Sequence, residues 1–181
     1  MKRILVLSCV MVLGSALPAL AQKAIADVLT RSAAGTFRNL VESAEKMPEE
    51  HYGFQATKET RTFAAFVGHT INSAYNNCSR AKGEANPNKA NLEQETSKAK
   101  LVEAAKAVQA YCDAVYAAQT DASLAEMIAM GKNEAPRAQA LVGVISHNMN
   151  EYGQMVILMR LKGVVPPTTE RAQAPRKPGQ D

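Results

Sequence analysis

The sequence predicts an all-α protein, a bundle of four long helices with one short extra helix before the last. Three observations predict it. The chain is rich in Ala, Lys, Glu and Gln and poor in runs of β-branched residues. Its apolar residues recur at steps of three and four, the period of an amphipathic helix rather than of a strand. Helix-breaking groups, Met47-Pro48, Gly83 with Asn86-Pro87, and Gly163 with Pro166-Pro167, divide it into long segments. Four such helices in a domain of this size pack as a four-helix bundle, whose ligand sites are built from side chains on facing helices.

Ahead of the first helix, Lys2 and Arg3 precede an apolar run from Ile4 to Leu17 that is too short to span a bilayer, and the run leads to Ala19-Leu20-Ala21, an A-x-A cleavage signal. Residues 1–21 therefore read as a secretory signal peptide, with the mature chain starting at Gln22 and located in the periplasm or outside the cell. Cys9 as a lipid attachment site is rejected, because only a few apolar residues would precede it. About 160 residues remain, enough for one domain whose core needs neither disulfide nor metal for stability. No second apolar run follows, so no stable membrane insertion is expected after cleavage.

The first helix is expected from about Ala24 to Lys46, with Ile25, Val28, Leu29, Phe37, Leu40, Val41 and Ala44 on its buried side and Met47-Pro48 as its end. A polar connector, Glu49 to Ala56, leads to Thr57 as N-cap of a second helix reaching about Arg80, with Phe63, Phe66, Val67, Ile71 and Tyr75 for the core. Asn91, with Gln94 three residues on, resembles a capping box opening a third helix through Leu101, Val102, Ala105, Val108, Cys112 and Val115. Asp121 caps a short helix through Met130 that Gly131 closes, and Pro136 sits in the first turn of a last helix that reaches about Leu161. The bundle domain is thus residues 22–167, and residues 168–181 form a polar, Pro-rich tail expected to be disordered.

The basic balance of the whole chain is a property of its ends. Setting aside Lys2 and Arg3 takes 21 basic residues to 19 against 17 acidic ones, and residues 22–170 hold 16 of each. A neutral body without Trp has no electrostatic footprint for nucleic acid. No Ser-His-Asp set, Gly-rich phosphate loop or Cys-x-x-Cys pair supports a hydrolase, nucleotide-binding or thioredoxin-like role.

Two of the three histidines fall in the middle of predicted helices, His69 in the second and His147 in the last. Glu151 follows His147 by four residues, so both side chains share a helical face and can converge on one cation. If the second and last helices run antiparallel, His69 lies at the same level. Two imidazoles and a carboxylate match the His₂Glu set of hydrolytic zinc sites and the facial triad of non-haem iron. By spacing alone the motif is unspecific, since an i, i+4 pair is common on solvated helices and a lone His beside Phe66 is more often a hydrogen-bonded core residue. His51, in the connector, reads as a solvated loop residue. Asn72, Asn76, Asn148 and Gln154 lie near the same faces and are candidates to line a polar pocket or orient the ligands.

The segment His147-Asn148-Met149-Asn150-Glu151-Tyr152-Gly153-Gln154, followed by Leu161-Lys162-Gly163 and Pro166-Pro167, resembles the last helix of the DinB superfamily, with its His-x-x-x-His-x-Gly-Gln pattern. Met47-Pro48-Glu49-Glu50-His51-Tyr52 through Arg61, Phe63 and His69 is similar to that family's connector and second helix. The resemblance implies a DinB-like bundle in up-down-down-up order and a divalent metal, Zn, Ni, Fe or Mn, held by His69, His147 and Glu151. Glu151 stands where the family usually has His, a change toward harder cations such as Mn or Fe, or toward a degenerate site. Thiol-dependent transferases and isomerases occur in the family, but an exported chain meets an oxidising compartment without those cytosolic thiols. What remains is a metal-dependent enzyme of unknown substrate, or a noncatalytic metal- or small-ligand-binding bundle. The expected partner is a small molecule, with a homodimer left open.

The same order bears on Cys78 and Cys112. In a simple antiparallel hairpin the two would lie roughly 25 Å apart at 1.5 Å per residue, beyond disulfide reach. In parallel helices, as the family order implies, they share a level, and a connector from Lys82 to Ala90 spans at most about 30 Å. A disulfide and two buried free thiols both stand at this point.

N-terminal sequencing of exported protein is expected to begin at Gln22; recovery of a chain starting at Met1 from the cytoplasm would contradict the leader and the compartment together.

Overall fold

The computed structural model describes residues 23–175, so the leader and the last six residues lie outside it. The first helix, α1 (Ala24–Lys46), has the bounds its sequence pattern predicts. Its buried stripe runs through Ala26, Ala33, Phe37, Leu40 and Ala44, and two residues expected inside are not: Ile25 is 60% exposed and Val28 52%. At 100° per residue these two fall off the stripe, whose inward positions in the first turns are held by the small Ala26 and Ala33.

A 3₁₀ turn, Glu49–His51, follows α1, and there Tyr52 turns inward and donates its hydroxyl to the carbonyl of Ala44. Burial pushes the Tyr52 hydroxyl above the ordinary phenol range, so it stays a donor. α2 (Phe63–Lys82) starts five residues later than the sequence suggests. Thr62 is its N-cap, accepting from the Ala65 amide at 3.1 Å, while Thr57 closes a local turn with Thr60. Gly83, with φ +78°, ends the helix in a left-handed cap that only glycine adopts without strain.

Asn91 and Gln94 do not form a capping box. Asn91 precedes and Gln94 ends a 3₁₀ turn, Leu92–Gln94, and α3 (Lys98–Ala117) is capped instead by Ser97, which accepts from Lys100. The crossover from α2 to α3 therefore occupies residues 83–97 and runs back along α2 under less tension than the shorter link the sequence suggests. Cys78 and Cys112, the sixteenth and fifteenth residues of their helices, are disulfide-bonded with Cα atoms 5.7 Å apart, so α2 and α3 run parallel.

The expected helix from Asp121 to Met130 is only one turn long, α4 (Asp121–Ala125), capped by Thr120 in a reciprocal pair with Ser123. Asp121 caps a different helix: its Oδ1 accepts from the amides of Ile25 and Ala26 at 3.0 and 2.9 Å, satisfying orphan donors at the start of α1. The remaining residues form a β-hairpin, β1 (Met127–Met130) against β2 (Asn133–Pro136), with Met127 opposite Pro136 and Met130 opposite Asn133. Gly131, at φ +72°, is the first residue of its two-residue turn, a hairpin signal rather than a helix stop. α5 (Arg137–Leu161) follows at once. Arg137 ties its start to the other end of α2, donating to the carbonyls of Ala81 and Ser123 and pairing with Glu126.

α1, α3, α2 and α5 form a closed ring of neighbours in that order, and the directions are up, down, down, up along the chain. The core is one cluster built by all four, centred on Phe37, Leu40, Phe63, Ile71, Leu101, Leu141, Met155 and Met159. Past Gly163 the tail is not disordered at Thr168: α6 (Pro167–Gln173) folds back on α1, where Arg171 contacts Glu42 and Asn39, and Lys46 pairs with Glu170 at 2.8 Å. Proline at its first position and these charge-assisted contacts outweigh the polar composition. No helix among the described residues is long and apolar enough to cross a membrane.

Denatured, unreduced mature protein is expected to show no free thiol in a colorimetric titration. Replacing Cys78 and Cys112 with Ser is expected to cost about 4 kcal/mol in chemical denaturation, the loop-entropy value for a loop of this length.

Candidate metal centre

α2 and α5 are antiparallel neighbours, and that places His69, seven residues into α2, against His147 near the middle of α5. The two Nε2 atoms are 3.2 Å apart, and His147 Nε2 is 3.6 Å from Glu151 Oε1. One ligand atom from each of the three residues lies within 4.8 Å of the others. Four ligands placed tetrahedrally at 2.0–2.2 Å from an ion are separated by about 3.3–3.6 Å, and the 3.2 and 3.6 Å separations on either side of His147 Nε2 are close to that range.

Burial sharpens the point. Glu151 is 6% exposed; Asn150 reaches its Oε1 at 3.3 Å, but no hydrogen-bond donor reaches Oε2. A carboxylate taken out of water without a compensating charge or donor costs several kcal/mol. One nitrogen from each imidazole and one Glu151 oxygen lie within 4.8 Å of one another, a place where a divalent cation would supply the missing charge. His147 has its basicity lowered, chiefly by burial and further by His69 and Arg61 against the opposing field of Glu151, which keeps a lone pair available at neutral pH. The donor set fits a divalent metal.

His69 has a partner that sequence reasoning missed. Glu93, in the 3₁₀ turn of the crossover, places Oε2 3.0 Å from His69 Nδ1, while Arg61 Nε donates to Oε1 of the same carboxylate at 2.6 Å. Burial opposes the ionisation of Glu93, but the hydrogen bonds and charges of Arg61 and His69 outweigh it and hold the carboxyl below its ordinary range. The signal in the sequence was Gly68, a glycine in mid-helix beside His69: a Cβ there would lie 1.9 Å from the carbonyl oxygen of Leu92, so only glycine lets the crossover lie on α2 at this level.

The asparagines divide. Asn72 and Asn76 do not line the cleft beside Glu151; with Asn86, Asn88 and Asn91 they form side-chain hydrogen bonds of 2.8–3.3 Å that strap the crossover to α2. Asn148 is buried between α5 and α1, donating to Thr36 Oγ1 at 3.4 Å. Gln154 does reach the site, in the wall of an open cleft of about 510 Å³ with Thr60, Arg61, Phe66, Glu93 and Glu151. His51 lies in the turn after α1 and is not in the cluster.

Gly68→Ala is expected to lower stability by about 3 kcal/mol, the upper range of overpacking, because the obstructing atom is backbone. Urea denaturation measures it, and an unchanged midpoint would show that the crossover does not rest on Gly68.

Comparison with known proteins bears on the arrangement. A DinB-like protein from Bacillus cereus ATCC 10987 superposes with a TM-score of 0.69 at 17% identity, over 78% of this chain and 95% of that one. A DinB-like protein from Bacillus subtilis does so with a TM-score of 0.63 at 20% identity, over 75% and 92%. At these identities the likeness is one of fold. No curated protein matches the chain. The family model of the DinB superfamily matches residues 33–155, a span from α1 into α5 that contains His69, His147 and Glu151, and the chain belongs to that superfamily.

Proposed function

We propose that the chain is an exported DinB-like metalloprotein whose His69, His147 and Glu151 hold one divalent cation between α2 and α5. The observation that carries this reading is the buried Glu151 carboxylate, whose Oε1 lies 3.6 Å from His147 Nε2, itself 3.2 Å from His69 Nε2, while its Oε2 has no hydrogen-bond partner. When bound, such an ion would supply Lewis-acid activation of a small molecule. The chain's own residues do the rest. His69 and His147 would present imidazole nitrogen donors, and Glu151 a carboxylate oxygen. The cleft gives a small molecule access along Arg61, Gln154 and Phe66. Phe66 gives it an apolar surface, and Thr60, Asn150 and Gln154 give polar ones.

Export is supported by the charged, apolar, A-x-A leader and by the disulfide between Cys78 and Cys112, a bond that persists in the periplasm or outside the cell and is rare in the cytosol. That compartment disfavours a soluble thiol as co-substrate and leaves water or a thiol-free small molecule as the reacting partner. A second reading has its own observation. The 3.2 Å between the two Nε2 atoms is also the length of an N–H···N hydrogen bond, and a bundle in which the imidazoles satisfy each other is a noncatalytic ligand-binding module with a degenerate site.

Metal analysis of the mature protein is expected to find about one divalent ion per chain. His69→Ala and His147→Ala are each expected to abolish it, and Glu151→His to tighten zinc or nickel. Wild-type protein that carries no metal, and gains no thermal stability from added Zn, Ni, Mn or Fe ions, would favour the second reading.

A further inference from the structure

His69 is held from two sides. Its Nε2 faces His147 and Glu151, and its Nδ1 lies 3.0 Å from Glu93 Oε2 and 3.4 Å from Arg61 Nη2. The chemistry of these neighbours decides where the ring proton sits. A guanidinium has only donors and a carboxylate only acceptors. A lone pair on Nδ1 would face the carboxylate oxygen at 3.0 Å with repulsion, leaving only the longer contact to Arg61. A proton on Nδ1 instead makes a charge-assisted hydrogen bond to Glu93, with Arg61 satisfied by the other carboxylate oxygen at 2.6 Å. The second arrangement wins on distance and on charge. It frees the Nε2 lone pair toward the cluster.

We propose that Glu93 is a positioning residue for the metal centre, delivered by the crossover to fix His69 as its Nδ1–H tautomer and raise the donor strength of Nε2, with Arg61 as the brace that holds the carboxylate. The proposal rests on the metal reading for its purpose but not for its geometry. A histidine ligand oriented through its other nitrogen by a carboxylate is preorganised, and loss of such a partner costs ten- to a hundredfold in metal affinity. The fold commits heavily to this delivery. Gly68 removes the one Cβ that would keep Leu92 off α2, and the asparagine straps from Asn72 and Asn76 hold the preceding crossover residues. Both place Glu93 within reach of the helix turn that carries His69.

Two measurements on full-length mature protein, wild type and Glu93→Gln, test this. The first is the ¹⁵N imidazole spectrum of His69 in metal-free protein: wild type is expected to show the Nδ1–H tautomer, and E93Q a mixture or its reversal, because the amide can also donate to Nδ1. The second is the affinity for Zn ions by competition with a chromophoric chelator, expected to fall ten- to a hundredfold in E93Q with the metal-free denaturation midpoint little changed. Arg61→Met is expected to move both readouts in the same direction by less. If E93Q keeps the wild-type tautomer, or binds zinc as tightly as wild type does, Glu93 has no positioning role. If wild type binds no zinc, Ni, Mn or Fe ion while the tautomer still depends on Glu93, the metal reading fails and the proton-fixing role alone survives.

Discussion

The parallel pairing of α2 and α3 is the constraint on which the rest of the structure depends. A chain leaving α2 at Gly83 has to travel back along the whole helix before α3 can start, and residues 83–97 make that journey. Because they do, α2 has α5 rather than an antiparallel α3 as its reversed neighbour, and His69 meets His147. The return path passes directly over the turn that carries His69, so the connection is also a wall of the centre. The disulfide between Cys78 and Cys112 fastens the two helices that the crossover joins. One topological choice thereby brings His69, His147 and Glu151 together, delivers Glu93 to His69 and permits the covalent bond.

Electrostatics explain why so much structure gathers there. The bundle interior is apolar nearly throughout, and its charged exception is Glu151, near two half-buried imidazoles and an Arg61–Glu93 pair. A carboxylate at that depth is expensive on its own and useful with a cation. Two buried tyrosines are satisfied by backbone. Tyr52 and Tyr116 each donate to a backbone carbonyl of another segment, and burial raises both hydroxyls well above the ordinary phenol range, so they serve as struts and not as acids. Asp121 and Arg137 do the same for helix ends, each holding a terminus that is remote in sequence.

What was legible in the sequence was periodic or chemically distinctive. The 3.6-residue pattern carried α1 to its observed bounds and identified most of the core of α2 and α3, and the spacing of His147 and Glu151 with the family resemblance brought in His69. Local signals with two meanings misled. Asn91 and Gln94 have the spacing of a capping box, but the first precedes and the second ends a 3₁₀ turn, because the segment is pinned to α2 through Gly68. Gly131 ends helices and turns hairpins equally well, and the backbone pairing of Met127–Met130 with Asn133–Pro136 decided for the hairpin. Thr168 onward is polar, yet Arg171 and Glu170 find partners on α1 that no local pattern displays. Glu93 was hidden for the same reason: its role depends on where the crossover lies, a property of topology and not of spacing.

Anomalous diffraction from crystals of the mature protein grown with the metal it naturally carries tests the central claim most directly. The expected result is a single peak at the metal's absorption edge, bonded to His69 Nε2, His147 Nε2 and a carboxylate oxygen of Glu151. A peak on other residues, or none while the two imidazoles remain hydrogen-bonded to each other, would contradict it.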